Sequence, residues 1–263
     1  MSTLAYAVSD SKTMLRRNIR HIWRYPSLTL NSAGIPVILL LLFVYVFGAT
    51  LGAGLGSASG GNARYVDYVV PGIILMTVAF ATPGTAISVA MDMTEGIIAR
   101  FRTMAIFRPS VLTGHVLGSM IQTALSLAVV IGVALLVGFR PTAGLVEWIA
   151  AIGVLAMITF ALTWLAVALG LVAKTAEGAS NLPTPLVFLP FLGSGFVPTD
   201  SMPVGLRWFA EYQPFTSVIE TLRGLLMGNP IGNSAFIAIA WCAAITLVGY
   251  LWARASFNRD PAR

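Results

Sequence analysis

The sequence predicts an all-α fold: a polytopic membrane protein whose six transmembrane helices form one domain over residues 1–263. The first observation is composition, because 57% of the residues are hydrophobic and only 10% are charged, against roughly 45–50% and about 25% in soluble domains. Second, the charged residues separate six uncharged runs, each long enough for the ~20 apolar residues of a spanning helix. Third, these runs lack the strict alternation of barrel strands, so helices must satisfy their backbone hydrogen bonds. The runs are 25–63, 68–91, 109–139, 148–173, 178–199 and 224–253.

The positions of Lys and Arg predict the orientation of the spans. With the N-terminus inside, 12 of the 16 Lys and Arg residues fall in cytoplasmic segments, as the positive-inside rule requires. We therefore expect a multi-pass protein of the plasma (inner) membrane with both termini in the cytoplasm. The net charge of +6 then indicates topology and attraction to anionic membrane lipids. Nucleic acid is not an expected partner, because no basic patch interleaved with aromatics lies on a soluble domain.

Residues 10–26 precede the first span and are predicted to form an amphipathic helix in the cytoplasmic interface. At 100° per residue, four arginines gather on one face and Trp23 lies with aliphatic residues on the other. Trp23 would then sit at headgroup depth, and Pro26 is a plausible end for the helix. The arginines are Arg16, Arg17, Arg20 and Arg24. The alternative is a stop-transfer flank that only fixes orientation, and both interpretations can hold together.

The first four spans are predicted at 33–50, 68–90, 111–137 and 148–172. The first ends in a Gly/Ser-rich external loop with the composition of a flexible connector. Pro71 and the "TPG" at 82–84 allow a kinked second span beside a transport route, although membrane helices carry Pro more often than soluble ones. Gln122 indicates either an interhelical hydrogen bond or a polar route. His115, near the start of the third span, is interpreted as interfacial and is assigned no proton-carrying role.

The predicted fifth span, within 178–199, contains Pro183, Pro185 and Pro190, so we do not expect a regular helix from end to end. The segment 198–230 that follows is too apolar for a free external loop and predicts two re-entrant half-helices. Ser201 is expected to cap the first, with Pro203 in its first turn. Its interface aromatics are Trp208, Phe209 and Tyr212.

The second half-helix is predicted at 215–226, directly after Gln213 and Pro214. Its residues Glu220 and Arg223 are three positions apart, and we expect this pair to lower the cost of entering the interface. The sixth span is predicted at 235–252.

Motifs of catalysis are missing. The chain has no HExxH or GxSxG, and two histidines with one cysteine cannot make an ordinary closed zinc site, so no metal site is predicted. "GLVAKT" at 170–175 ends like a P-loop, but Ala173 stands where the motif requires Gly. The acidic residues map to segment ends or loops, whereas ion-coupled transport needs carboxylates or histidines at membrane depth. We therefore expect a transport subunit without an enzyme site, whose energy comes from another chain.

The largest internal cytoplasmic loop is "EGIIARFRTMAIFRP", within the predicted coupling segment 94–109. Taken as a helix, it gathers Ile97, Phe101 and Met104 on one side with Arg102 opposite. The negative charge of Glu95 near its start interacts favourably with the helix dipole, and Pro109 is compatible with a break before the third span. Such a helix would lie across the ends of the second and third spans. A soluble partner that binds it could tilt both spans together.

Two stretches carry a family resemblance. "EGIIARFRTMAIFRPSVLTGHVLG" resembles the loop of ABC-2 type transporter permeases, in particular the daunorubicin-resistance permease group, and "FVPTDSMPVGLRWFAEYQPFTSVIETLRGLL" resembles that group's segment after span 5. The resemblance covers nearly the whole chain. The sequence departs from the pattern at Ala99, where an acidic residue is expected, and at Met104-Ala105, where Leu-Pro is common.

The resemblance implies half of an ATP-driven exporter. Two permease copies, identical or closely homologous, would join two copies of a cytoplasmic ABC ATPase, which would bind ATP and Mg, while this chain carries no cofactor. The coupling residues so implied are Glu95, Gly96, Ile97, Arg100, Phe101 and Arg102. Those of the external re-entrant element are Pro203, Trp208, Phe209, Gln213, Pro214, Glu220 and Arg223.

Other interpretations remain open at this stage. Kinked spans equally suit a stand-alone channel or passive carrier without an ATPase, and a membrane-embedded enzyme acting on lipid lacks its catalytic groups. The coupling segment has its own alternative, a positive-inside linker that contacts only lipid. Spans 1, 2 and 5 are the expected pathway wall, where Met76, Phe80, Phe188 and Phe191 suit a drug, lipid or lipid-linked glycan unless they are packing residues.

Overall fold

The computed structural model describes the chain at residues 26–48, 61–94 and 109–258, and within these ranges all regular secondary structure is helical. The all-α prediction is confirmed for them. In chain order the α-helices are α1 (Pro26–Leu41), α2 (Gly61–Thr94), α3 (Pro109–Val137), α4 (Leu145–Val172), α5 (Ala176–Asn181), α6 (Thr184–Phe188), α7 (Val204–Tyr212), α8 (Pro214–Met227) and α9 (Ser234–Asn258).

Four of the described helices are long and apolar enough to cross a membrane: α2, α3, α4 and α9. They coincide with the predicted second, third, fourth and sixth spans. In the predicted first span, α1 passes into a π-helical turn at Leu42–Val46, and its apolar part, Ala33–Val46, is shorter than a typical span. The total of six spans therefore stays a prediction.

The predicted fifth span is interrupted, as its prolines indicated. α5, α6 and a 3₁₀ turn at Leu189–Leu192 follow one another, with Pro183 at the N-cap of α6. Each proline lacks a backbone N–H, so a regular ladder of hydrogen bonds cannot form through "LPTPLVFLP". The chain then leaves helical structure at 193–197, and the short 3₁₀ turn Thr199–Ser201 leads towards α7.

α2 runs through both of its prolines without interruption. Pro83 cannot donate to the carbonyl of Ala79, four residues earlier. The hydroxyl of Thr82 donates to that carbonyl instead, at 2.7 Å. A neighbouring side chain thus supplies the hydrogen bond that Pro83 removes, which is how membrane helices accommodate proline.

α2 and α4 form the centre of the bundle. Within their most apolar stretches 67% and 61% of the residues are buried, against 28% in α3 and 17% in α9. α2 contacts α1, α3, α4, α5 and α8, and α9 packs most extensively against α4. α2 is therefore the helix through which a displacement at one end of the bundle reaches most of its neighbours.

Candidate functional site

The predicted coupling and interfacial residues lie outside the described part of the chain. This applies to Glu95, Gly96, Ile97, Arg100, Phe101 and Arg102, and to Arg16, Arg17, Arg20, Trp23 and Arg24. Their roles stay predictions. The structure does describe the parts of α2 and α3 that border the coupling segment, up to Thr94 and from Pro109 onwards.

The predicted pair of short helices in the 198–230 segment is present as α7 and α8. The helices meet at Gln213, whose extended backbone ends one and begins the next. Pro203 is the N-cap of α7 and Pro214 is the first residue of α8. The expected cap by Ser201 was wrong, because its hydroxyl donates to the carbonyl of Pro198 within a separate 3₁₀ turn.

α7 has an exposed aromatic face. Trp208 is 67% exposed and Tyr212 64% exposed, and their rings pack against each other at 5.5 Å between centroids. On another side of the helix, Arg207 forms ion pairs of 2.7 Å with Asp200 and with Glu211. An apolar face beside locally neutralised charges suits a membrane–water interface.

α8 is the opposite case, because most of it is buried. Phe215, Val218, Ile219 and Leu222 are completely inaccessible and pack in the main core with residues of α2, α4 and α9. α8 is therefore an internal packing element, and α7 is the exposed member of the pair.

Arg223 on α8 holds three parts of the chain together. Its guanidinium donates to the carbonyl oxygen of Ser194 at 2.7 Å and to that of Tyr68 at 3.2 Å, and it lies 3.9 Å from the centre of the Tyr68 ring. The Tyr68 hydroxyl donates to the same Ser194 oxygen at 2.9 Å. Burial lowers the pKa of Arg223, and Tyr68 and Glu220 partly oppose this effect. Charge-assisted hydrogen bonds and the aromatic face replace the water that this cation has lost.

The expected pairing of Glu220 with Arg223 was wrong. Among the described residues, no ion pair within 4 Å joins them, and Glu220 instead accepts a hydrogen bond from the Ser234 hydroxyl at 3.1 Å. The reason is packing, because Arg223 is turned towards carbonyl groups of α2 and of the interrupted fifth segment, whereas Glu220 is turned towards the start of α9. Spacing on one helix does not show these more distant partners.

The unwound segment 193–196 fits closely between α2 and α8. A Cβ at Gly72 would lie 2.7 Å from the carbonyl oxygen of Gly195, and a Cβ at Gly193 would lie 2.6 Å from side-chain atoms of both Gln213 and Thr216. No side chain fits in either place without displacing backbone or polar groups. The buried Oε1 of Gln213 and Nε of Arg223 have no protein partner in the described part of the chain, so this cluster retains polar capacity, which proteins satisfy with water or a ligand.

A row of phenylalanines lies between the first predicted span and the interrupted fifth. Phe43 stacks on Phe196 at 4.5 Å between centroids, and Phe196 stacks on Phe191 at 4.9 Å. Phe188 continues the row and is 57% exposed. Of the predicted pathway residues, Met76 is completely buried in the main core, which makes it a packing residue in this structure.

An apolar cavity of about 530 Å³ lies between α4 and α9. A Cβ at Gly249 would lie 2.8 Å from the backbone nitrogen of Leu165, so the two helix backbones nearly touch there. Trp164 is its most buried aromatic residue and meets Tyr250 edge-on. The lining residues are Met157, Phe160, Trp164, Ile239, Cys242, Ala243, Thr246, Leu247 and Tyr250. None of these lining residues is charged, so the cavity suits an apolar group.

A second polar cluster lies near the C-terminal end of α2. His115 Nε2 is 3.0 Å from Asp92 Oδ2 and His115 Nδ1 is 3.5 Å from Ser88 Oγ. Sequence reasoning missed this pair, because it interpreted His115 as interfacial and grouped Asp92 with acidic residues at segment ends. Both side chains are buried in the structure. Their positions at the facing ends of two consecutive helices were the available signal, since consecutive elements are usually adjacent in space.

Within the described ranges, no group of three or more His, Cys, Asp or Glu residues is placed to hold a metal ion.

Comparisons with known proteins place these features in context. The family model for the ABC-2 type transporter matches residues 10–227. The daunorubicin resistance ABC transporter permease protein DrrB1 of Streptomyces coeruleorubidus is 29% identical over 226 residues, which cover 86% of this chain and 77% of that protein. The probable doxorubicin resistance ABC transporter permease protein DrrC of Mycobacterium tuberculosis is 24% identical over 239 residues, covering 90% and 85% respectively. Nodulation protein J of Rhizobium leguminosarum bv. trifolii is 27% identical over 244 residues, covering 88% and 89%.

Proposed function

The chain belongs to the ABC-2 type transporter family and is a multi-pass membrane permease of an ABC transporter, and from this premise we propose that it is the membrane subunit of an ATP-driven exporter. The observation that carries the proposal is the family match over residues 10–227. Drug-resistance permeases among its relatives support export out of the cytoplasm or inner leaflet.

The ATPase is proposed to be a separate cytoplasmic chain that binds ATP and Mg. The only P-loop-like stretch of this chain, "GLVAKT", straddles the end of α4 at Val172 and lacks the required glycine at Ala173. A phosphate-binding loop needs that glycine because its backbone must approach the phosphates closely. Energy must therefore enter through contact between chains.

The segment 94–109 is the proposed contact for the ATPase. It joins α2, which is the central helix of the bundle, to α3. A force applied there acts directly on α2, whose other end carries the contacts of Tyr68 and Gly72 with the unwound segment. We call Tyr68, Gly72, Ser194, Gly195 and Arg223 the external cluster. The proposal thus links the predicted coupling residues to the external cluster through one continuous helix.

The proposed cargo is a hydrophobic or amphipathic compound such as a drug, a lipid or a lipid-linked glycan. The phenylalanine row supports this class, because stacked aromatic side chains bind flat apolar groups without a requirement for charge. The row includes Phe188 and Phe191, which were predicted for the pathway wall, and adds Phe43 and Phe196. The names of the relatives, which include daunorubicin and doxorubicin resistance, point to cargo of the same kind.

The remaining architecture is proposed as follows. Six spans place both termini in the cytoplasm of a plasma-membrane protein, and two permease copies assemble with two ATPases. α7 and α8 form the external re-entrant element, which the exposed aromatic face of α7 supports. The segment 10–26 lies on anionic lipid at the cytoplasmic surface.

A co-purification and transport experiment tests the proposal. The permease is co-expressed with a candidate ABC ATPase, and Phe101→Asp and Arg102→Glu are compared with Arg140→Gln, a change at an exposed arginine of the opposite predicted side. We expect the first two to lose the ATPase and the third to retain it. Retention by all three would show that the coupling assignment is wrong. Vesicles containing only this chain, loaded with daunorubicin, test the alternative of a passive carrier: transport without the ATPase or ATP would replace the exporter proposal.

A further inference from the structure

The facing sides of α2 and α3 carry a line of polar contacts in their cytoplasmic halves, which we call the polar seam. It consists of Thr85, Ser88 and Asp92 on α2 with His115 and Ser119 on α3. The hydroxyls of Thr85 and Ser119 are hydrogen-bonded to each other, and His115 contacts both Ser88 and Asp92. These contacts join the two helices over about two turns of α2 and about one turn of α3.

The imidazole of His115 occupies the centre of the seam with both ring nitrogens engaged. In the neutral ring that donates from Nε2, the N–H bonds to Asp92 Oδ2 at 3.0 Å while Nδ1 accepts from the Ser88 hydroxyl at 3.5 Å. In the imidazolium, Nδ1 donates to the Ser88 oxygen instead. Either form keeps the ring tied to α2, and His115 is only 5% exposed.

Ionisable groups in a membrane helix are costly unless they are paired, and for that reason they mark functional positions. Asp92 and His115 are 23 positions apart in the chain and enclose the whole predicted coupling segment between them. Their contact therefore closes the base of the loop. An apolar pair would pack these helices equally well, but it would allow the helix ends to slide or separate with little resistance, because it has no preferred partner atoms.

We propose that Asp92 and His115 are a positioning pair that makes the cytoplasmic ends of α2 and α3 move as one unit when force is applied to segment 94–109. This inference rests on the proposed exporter function. We call the contact between Asp92 and His115 the tie. Without it, a push on the segment moves the two helix ends apart. With the tie, the displacement passes along α2 to Tyr68, 24 residues or ~36 Å away, where the external cluster contacts it.

The first measurement uses the chain alone, in lipid nanodiscs. Met91 and Leu117 are exposed positions on α2 and α3, so spin labels at Met91→Cys and Leu117→Cys report the distance between the two helix ends. The single native cysteine is removed by Cys242→Ala. We expect His115→Ala and Asp92→Ala each to broaden the distance distribution, and the double variant to broaden it no further than either single variant. The exchange of Asp92→His with His115→Asp should narrow the distribution again.

The matched control is Thr77→Val. Thr77 is a buried residue of the same helix, and among the described residues its hydroxyl bonds only to the carbonyl of Ile73 within α2, at 2.8 Å. We expect this change to leave the distribution as in the wild type. Equal widths in the wild type and the His115→Ala variant would overturn the tie.

The second measurement uses the permease with its ATPase in vesicles and counts daunorubicin transported per ATP hydrolysed. We expect His115→Ala to retain ATPase binding and hydrolysis while transport per ATP falls roughly 5- to 10-fold, which is the lower end of the usual coupling between two sites. Unchanged transport per ATP would overturn the coupling role. A wild-type complex without ATP-dependent transport would overturn the exporter function, and the nanodisc distances would still decide the tie.

Discussion

Replacing Arg223 by methionine tests whether the external cluster is held by this buried cation. Methionine keeps much of the length and removes the charge. The loss includes two charge-assisted hydrogen bonds, of about 1.5–3 kcal/mol each, and a cation–π contact of about 1–2 kcal/mol in a desolvated site. Relief of the desolvation of the guanidinium offsets several kcal/mol, and the Tyr68 hydroxyl still occupies the Ser194 oxygen.

The net expectation is a destabilisation of about 2 kcal/mol, which lowers Tm by roughly 4–8 °C in a chain of this size. Thermal unfolding of the purified chain in detergent, followed by tryptophan fluorescence, measures it. We expect Arg223→Lys to fall between the wild type and Arg223→Met, because an ammonium keeps the charge but is more strongly hydrated and lacks the planar group that lies over the Tyr68 ring.

Arg140 is the matched control, because it also donates to two backbone carbonyls, those of Leu135 and Phe139, but is exposed to solvent. Water replaces these bonds when the side chain is removed, so Arg140→Met should change stability by no more than about 0.5 kcal/mol. Equal Tm shifts for Arg140→Met and Arg223→Met would refute the reasoning, because the loss of stability would then not depend on the burial of the arginine.

Three further outcomes are expected. Gly72→Ala places a methyl group 2.7 Å from a backbone carbonyl oxygen and should destabilise the protein by about 1–3 kcal/mol. Gly84→Ala, which has open space around it, should not destabilise it. Size-exclusion profiles and Tm compare the two variants, and equal values would contradict the packing argument. Spin labels at Trp208 and Glu211 should differ in relaxation, with the first more accessible to oxygen and the second to a water-soluble nickel complex, and equal accessibility would argue against an interfacial α7. Phe196→Leu should weaken daunorubicin binding about 2- to 10-fold, as loss of an aromatic stack predicts, and fluorescence titration giving an unchanged Kd would remove the phenylalanine row from the proposed pathway.

Local chemistry explains which parts of the fold were predictable. Runs without charge must satisfy their backbone within one segment, so α2, α3, α4 and α9 follow from composition alone. The three prolines of the fifth segment remove donors wherever they stand, which made its interruption predictable as well. The pair of short helices α7 and α8 followed from turn residues and from apolar content.

Such local reasoning could not predict which side chains contact each other across the bundle. Arg223 contacts the Tyr68 carbonyl across 155 positions of sequence and the Ser194 carbonyl across 29, so its nearest charged neighbour along the helix was a misleading guide. Gly72 and Gly195 meet only because α2 and the unwound segment pack against each other.

The sequence by itself determined that this is a helical membrane protein, because hydrophobicity, charge position and proline act within a segment and need no knowledge of its neighbours. Its resemblance to ABC-2 permeases, and not its composition, indicated a transport role. Only the tertiary structure decided which polar groups are tied together, Arg223 to the unwound segment and His115 to Asp92. The physical reason is that a buried polar group takes the partner that packing brings within about 3 Å, and packing is a property of the whole bundle.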